Sequence, residues 1–277
     1  MRTIAYLSIV LISGCLSFQS TKIKQTESQK YLTGITESGI NSYLGIKYAA
    51  ANRWSLPEIN QAWAEPVSFE KFGSKCPQIG QESESEDCLF LNVYAPSSAQ
   101  HKSNLPVVLW IHGGGFKAGS GNYGPKFWAL DNIIVVTFNY RLGLLGFFNH
   151  PDWDIDHPRN FGQADMVTAL KWVNTNISLF GGNPDNVTIA GHSAGGMGVQ
   201  LMMIDSRAQN KFAKAISHAG YGNWPFPDIR LRKNDSDYKY SLIDKDTPVS
   251  KLVSLTPFYH LPYIGGFEIP EQPSTLF

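Results

Sequence analysis

Gly191-His192-Ser193-Ala194-Gly195 spells G-x-S-x-G, the spacing of a sharp strand-to-helix turn that exposes a serine hydroxyl. Glycines two positions either side let neighbouring backbones approach, so Ser193 is the candidate nucleophile for attack on a carbonyl carbon. That attack creates a tetrahedral oxyanion, which needs hydrogen-bond donors already in place. His112-Gly113-Gly114-Gly115-Phe116 offers them. Backbone N–H groups of a glycine loop can face a cleft because no side chain blocks them. Together with the N–H after the nucleophile, the expected donors are Gly114, Gly115 and Ala194. A lone glycine triplet is usually just a loop. A triplet that follows a strand and is joined by a later G-x-S-x-G points to acyl transfer.

A serine nucleophile also needs an imidazole base and a carboxylate to orient it, and with this turn both usually follow the serine. The later histidines are His218 and His260, and the later acids include Asp205, Asp228, Asp244, Asp246 and Glu268. His218, in Ala215-Ile216-Ser217-His218-Ala219-Gly220, reads as a hydrogen-bonded core histidine. His260, in the apolar stretch Phe258-Tyr259-His260-Leu261-Pro262, is the remaining candidate for the base. His192 is expected to line the site, since adjacent side chains diverge at such a turn. His112 is expected to orient the oxyanion loop, and His101, His150 and His157 sit in polar turns and read as solvated. No acid and base are therefore evident beside the nucleophile.

The elements that must position these groups are legible as apolar runs. Leu105 to Ile111, Ile133 to Phe138 and Val187 to Ala190 suit strands buried on both faces of a parallel sheet. Met166, Leu170, Val173, Ile177 and Phe180 recur at helical spacing, and Gly181-Gly182-Asn183-Pro184 ends that helix. Strand, crossover helix, strand is a βαβ unit. A second helix starts after Ser193, and Ala215 to Gly220 reads as a further strand. Asp165 reads as complementing the dipole of the crossover helix from its first turn. Arg141 is expected to pair with an acid such as Glu86. From about Trp224, Pro, Asp, Lys and Ser dominate, so 224–277 reads as irregular or incompletely packed.

The formal net charge of +0 gives no electrostatic reason to expect a nucleic-acid partner. Arg2 and the apolar run Ile4 to Ile12 read as an export signal, too short to span a bilayer. The run ends in Ile12-Ser13-Gly14-Cys15, which resembles a lipobox, so Cys15 is the expected lipidation site; the alternative is an ordinary signal whose Cys15 is discarded. Residues 1–15 are thus read as a signal peptide, 16–30 as a flexible tether and 31–277 as the folded part. The protein is expected to be exported, as a bacterial cell-envelope lipoprotein or in secreted form. Cys76 and Cys88 remain, flanking a polar loop. An oxidising compartment would let them close as a disulfide; the alternative is two reduced core cysteines. No His or second Cys pair stands at ligand spacing beside them, so no metal is expected there.

The chain resembles the type-B carboxylesterase and cholinesterase family of α/β-hydrolases. The matching text includes Tyr43 to Ala49, Glu86-Asp87-Cys88-Leu89-Phe90-Leu91-Asn92-Val93-Tyr94, Asn139-Tyr140-Arg141-Leu142-Gly143 and Asn183 to Ile189. It runs from about Gly34 to Gly220, and fainter again at Tyr263 to Phe267. The resemblance implies an α/β-hydrolase fold, a central mostly parallel sheet with flanking helices. It implies Ser193 as nucleophile, Gly114, Gly115 and Ala194 as oxyanion hole, and Cys76 paired with Cys88. It also implies that Asn160 to Asp165 braces the sheet. The implied activity is hydrolysis of small-molecule carboxylic esters with no metal or organic cofactor. Three features depart from the pattern. His192 stands where the family usually has Glu, which weakens any expectation of a cationic substrate, and Lys47 stands where proline is usual. Third, family members are about twice this length, and their acid and histidine lie in the part not matched. The carboxy-terminal part is therefore expected to be truncated, with an open sheet edge, poor solubility, and a missing half or second chain as partner. Two readings result: a serine ester hydrolase weakened by the missing acid and base, or a non-catalytic binding protein or inactive fragment on the same scaffold.

Overall fold

The computed structural model describes residues 19–24, 31–60, 67–80, 84–101, 103–221, 225–231, 238–257, 260–266 and 269–275. The strands are β1 (Gln19–Lys24), β2 (Tyr31–Glu37), β3 (Ile40–Lys47), β4 (Ala49–Ala50), β5 (Glu58–Ile59), β6 (Val67–Ser68), β7 (Phe90–Pro96), β8 (Leu105–Ile111), β9 (Ile134–Phe138), β10 (Gly182–His192) and β11 (Lys214–His218). The α-helices are α1 (Gly143–Gly146), α2 (Phe161–Asn176), α3 (Ala194–Ile204), α4 (Tyr238–Ser241) and α5 (Val249–Leu255).

One sheet runs β1-β2-β3-β7-β9-β8-β10-β11, with β6 against β2. The first strands meet antiparallel, whereas β9, β8, β10 and β11 are mutually parallel. This is the α/β architecture the apolar runs imply. All five residues of β9 are buried, because helices and loops cover both faces of the sheet centre. The crossover helix α2 is buried on almost every side, Gln163, Asp165 and Thr168 included, rather than along one stripe. It ends at Asn176. Ile177 and Phe180 belong to a following 3-10 turn, which stops at Gly181 with φ +92°.

The structure departs from the sequence reading in several places. Gln19–Lys24, within the segment read as a tether, pairs antiparallel with β2. β2 would otherwise be the sheet edge, and its unpaired backbone groups accept a short strand containing β-branched Thr21 and Ile23. The region after 224 is not simply irregular. Leu252 of α5 and Ile243 are buried with Trp54, Leu144, Leu145, Phe148 and Phe161 in a second apolar cluster. Apolar spacing over seven residues is too short a signal to mark α5 in sequence. Arg141 pairs with Asp165 instead of Glu86: its backbone N–H and Nε both donate to Oδ2 at 2.9 Å and Nη2 donates to Oδ1 at 2.7 Å. Both residues are buried, and a buried guanidinium requires a buried carboxylate. Asp165 lies beyond the first turn of α2, whose N-cap is Asn160, so it serves Arg141 rather than the helix dipole. Glu86 accepts from Arg53 Nε at 2.9 Å. Asn160, expected to brace the sheet, instead ties the start of α2 to the segment after α5, accepting from Tyr263 N–H at 2.8 Å and donating to Tyr263 O at 2.8 Å.

Candidate active site

Two loops that leave neighbouring parallel strands build the site. Gly191 of β10 stands opposite Ile111 of β8, so His112 and His192 emerge side by side at the carboxyl edge of the sheet. Ligands gather there in open α/β sheets because the turns diverge and leave a crevice. Ser193 then turns the chain into α3 with φ +57° and ψ −123°, a conformation that L side chains rarely adopt. Such strain costs on the order of 1–3 kcal/mol and persists only where surrounding structure enforces it. The enforcement is visible. Ser193 N–H donates to His218 O at 2.9 Å, and Ser193 O accepts from Met197 N–H at 3.0 Å. Gly195 lies so close to the Ile111 carbonyl that any side chain would collide with it. Ser193 itself is half-buried.

The glycine loop lies against this turn. A Cβ on Gly113 would fall 3.3 Å from Ser193 Cβ and 2.8 Å from His192 O, so only glycine fits. Gly114 closes a tight turn by accepting from Lys117 and Ala118 N–H at 3.2 and 3.1 Å. Gly114 and Gly115 are exposed, with no acceptor for their N–H groups among the described residues. Ala194 is the first residue of α3, so helix geometry leaves its N–H free as well. Gly113 thus sets the glycine loop directly against the turn that carries Ser193 and Ala194.

His112 sits beneath the loop. It is buried, stacks on Tyr140 at 4.2 Å and donates from Nδ1 to Gly113 O at 2.8 Å. Burial pushes its imidazole down to about 4, against the opposing pull of the Gly113 carbonyl. It is thus a neutral brace for the glycine loop.

Gln78 is a bracing residue that no sequence pattern singled out. It is buried; its Nε2 donates to Gly119 O at 2.8 Å and its Oε1 accepts from Gly119 N–H at 2.7 Å. This two-bond clamp ties the loop closed by the Cys76–Cys88 disulfide to the segment that follows the glycine loop. The cysteines are joined with S–S 2.01 Å, as the resemblance implied, not held as free thiols. Between these loops and α5 lies a cavity of about 260 Å³, lined in part by Gln78, Lys117, Leu144, Leu252 and Val253. Ser193 does not line it.

The remaining histidines do not assemble on the serine. His260 is buried and donates from Nε2 to Phe147 O at 2.9 Å. Burial pushes it down to about 4. His218 is not a core residue: β11 is exposed at all five positions, and the His218 ring stands beside that of His192. His150 and His157 are half-buried in an aromatic cluster around Trp153 rather than solvated. Asp205 is held by Arg207 and Asp228 by Arg230. Among the described residues no imidazole is hydrogen-bonded to Ser193 Oγ. Cys15 and Glu268 lie outside the described residues.

Known proteins resemble this chain in sequence and in fold. The chain is 41% identical over 204 residues to the para-nitrobenzyl esterase of Bacillus subtilis, covering 68% of this chain and 41% of that one. It is 34% identical over 246 residues to human cocaine esterase, covering 79% and 44%. Among solved structures, a thermophilic para-nitrobenzyl esterase superposes with TM-score 0.76 at 31% identity, covering 92% of this chain and 59% of that one. A Geobacillus stearothermophilus carboxylesterase superposes with TM-score 0.75 at 30% identity, covering 91% and 57%. The chain spans about two fifths of the length of the curated relatives it matches. The fold is that of the α/β-hydrolase esterases. Residues 26–229 match the carboxylesterase family, and with its strained serine turn packed on the glycine loop this chain belongs to that family.

Proposed function

We propose that the protein acts on small-molecule carboxylic esters through Ser193. The observation that carries this reading is the strained Ser193 turn packed against a glycine loop, with the N–H groups of Gly114 and Gly115 in the loop and of Ala194 in α3 unpaired among the described residues. Ser193 Oγ would attack the ester carbonyl while Gly114, Gly115 and Ala194 N–H stabilise the oxyanion. The alcohol would leave, and water would then release the acid from the acyl-enzyme. The apolar cavity beside Gln78 and α5 is the candidate for holding an apolar part of the ester. Export with a lipid on Cys15 belongs to the same reading, supported by Arg2, the apolar run Ile4 to Ile12 and Ile12-Ser13-Gly14-Cys15. Cys15→Ser is expected to move the protein from the membrane fraction to the soluble fraction in a bacterial host; an unchanged distribution rejects the anchor.

A non-catalytic binding role is favoured by one observation, the lack of an imidazole on Ser193 Oγ among the described residues. Fluorophosphonate labelling of the purified chain separates the two. Slow labelling that Ser193→Ala abolishes and His260→Ala leaves intact is the expected result. No labelling of a folded wild type sinks the hydrolytic reading and leaves the binding one.

A further inference from the structure

The last register-paired positions of β10 and β11 carry the same residue type, His192 opposite His218. Paired positions on neighbouring strands project side chains from one face of the sheet. The two rings lie 5.0 Å apart, centroid to centroid, at an interplanar angle of 31°. Both residues are exposed, and neither ring has a hydrogen bond or ion pair among the described residues. Two imidazoles on one ion, each with its nitrogen ~2.0–2.1 Å from it, hold their centroids roughly 4.5–5.2 Å apart across square-planar to tetrahedral geometries. The observed separation falls in that interval with no rearrangement of the strands.

We propose that His192 and His218 form a two-imidazole site for a divalent first-row transition-metal ion of the copper, nickel and zinc class. Among the described residues no group of three or more His, Cys, Asp and Glu converges, so water completes the coordination. Neutral imidazole is a good ligand for these ions, and the parallel ladder supplies the preorganisation that two independent surface histidines lack. The bound ion cross-links the ends of β10 and β11. Ser193 follows His192 directly and donates its N–H to His218 O at 2.9 Å, so the cross-link restrains the turn that carries the serine. The site forms whether or not Ser193 is ever acylated.

Cu²⁺ added to the purified chain tests this by electron paramagnetic resonance and thermal melting. One Cu²⁺ should bind with hyperfine coupling to two imidazole nitrogens and raise the melting temperature. His192→Ala and His218→Ala should each weaken binding about a hundredfold, because the second ligand no longer acts intramolecularly. Each should also reduce the coupling to one nitrogen and cancel the melting shift. His150→Ala should change none of these. Both positions are exposed, so melting without Cu²⁺ should match the wild type and show that the fold is kept. Single variants that bind as tightly as the wild type, or a wild type without the two-nitrogen signature, overturn the proposal.

Discussion

Ser193 is held at φ +57° by hydrogen bonds from its N–H and to its carbonyl, and by the glycines packed around it. A methyl group at that position carries the same strain without the hydroxyl, whereas glycine adopts the conformation freely. Ser193→Gly is therefore expected to be more stable than Ser193→Ala by about 1 kcal/mol, offsetting the greater flexibility of glycine in the unfolded chain. Urea denaturation of the two variants measures this; equal midpoints would show that the turn is relaxed. Strain at one residue is a product of folding. The G-x-S-x-G pattern located Ser193 because the glycines that tolerate the turn are themselves in the text. It said nothing of Gln78, whose partner Gly119 is far along the chain and whose type is unremarkable in a loop.

At the scale of elements, His260 links the segment after α5 to the end of α1 through Phe147 O. Its imidazole and that of His112 are pushed down to about 4 by burial. An unfolded histidine takes up a proton near pH 6.5, so between about 6.5 and 4 the unfolded chain binds more protons than the folded one. Stability is then complete above this window and falls as pH drops through it, by roughly 1.4 kcal/mol per pH unit for each such histidine. His260→Gln, which keeps a donor for Phe147 O, should flatten the slope of unfolding free energy against pH by about one histidine's share. A slope identical to wild type would mean that His260 is already protonated in the fold. The sequence held His260 as a candidate base because an apolar neighbourhood suits a tuned imidazole. It could not show that the ring's donor is already committed to a carbonyl, since Phe147 lies over a hundred residues earlier.

For the molecule as a whole, the sheet presents β11 as its last described strand, paired only with β10 and exposed at all five residues. Ile216 is 53% exposed on this edge, with Met203 of α3 also exposed. An exposed edge strand with an apolar side chain offers unpaired backbone groups to a second sheet. Self-association of the purified chain is expected, and Ile216→Lys should shift it toward monomer. Sedimentation velocity checks both; a monodisperse wild-type monomer removes the premise. The Arg141–Asp165 pair acts at the same scale, tying the end of β9 to α2 from within the protein. A buried ion pair of this kind is costly to break from one side and so fixes which surfaces meet.

Chemistry that depends on neighbours along the chain was readable from residues alone. Ser193 and its glycines, the HGGG loop, the parallel strands and the crossover helix all follow from local backbone demands and short periodicities. Groups brought together across the chain were not. Pairing Arg141 with Asp165 rather than Glu86, clamping Gly119 through Gln78, seating α5 on Trp54 and Phe148, and setting His192 beside His218 all required the tertiary structure. In each case the partner is chosen by burial and register, which a side chain acquires only when distant strands and helices close on one another.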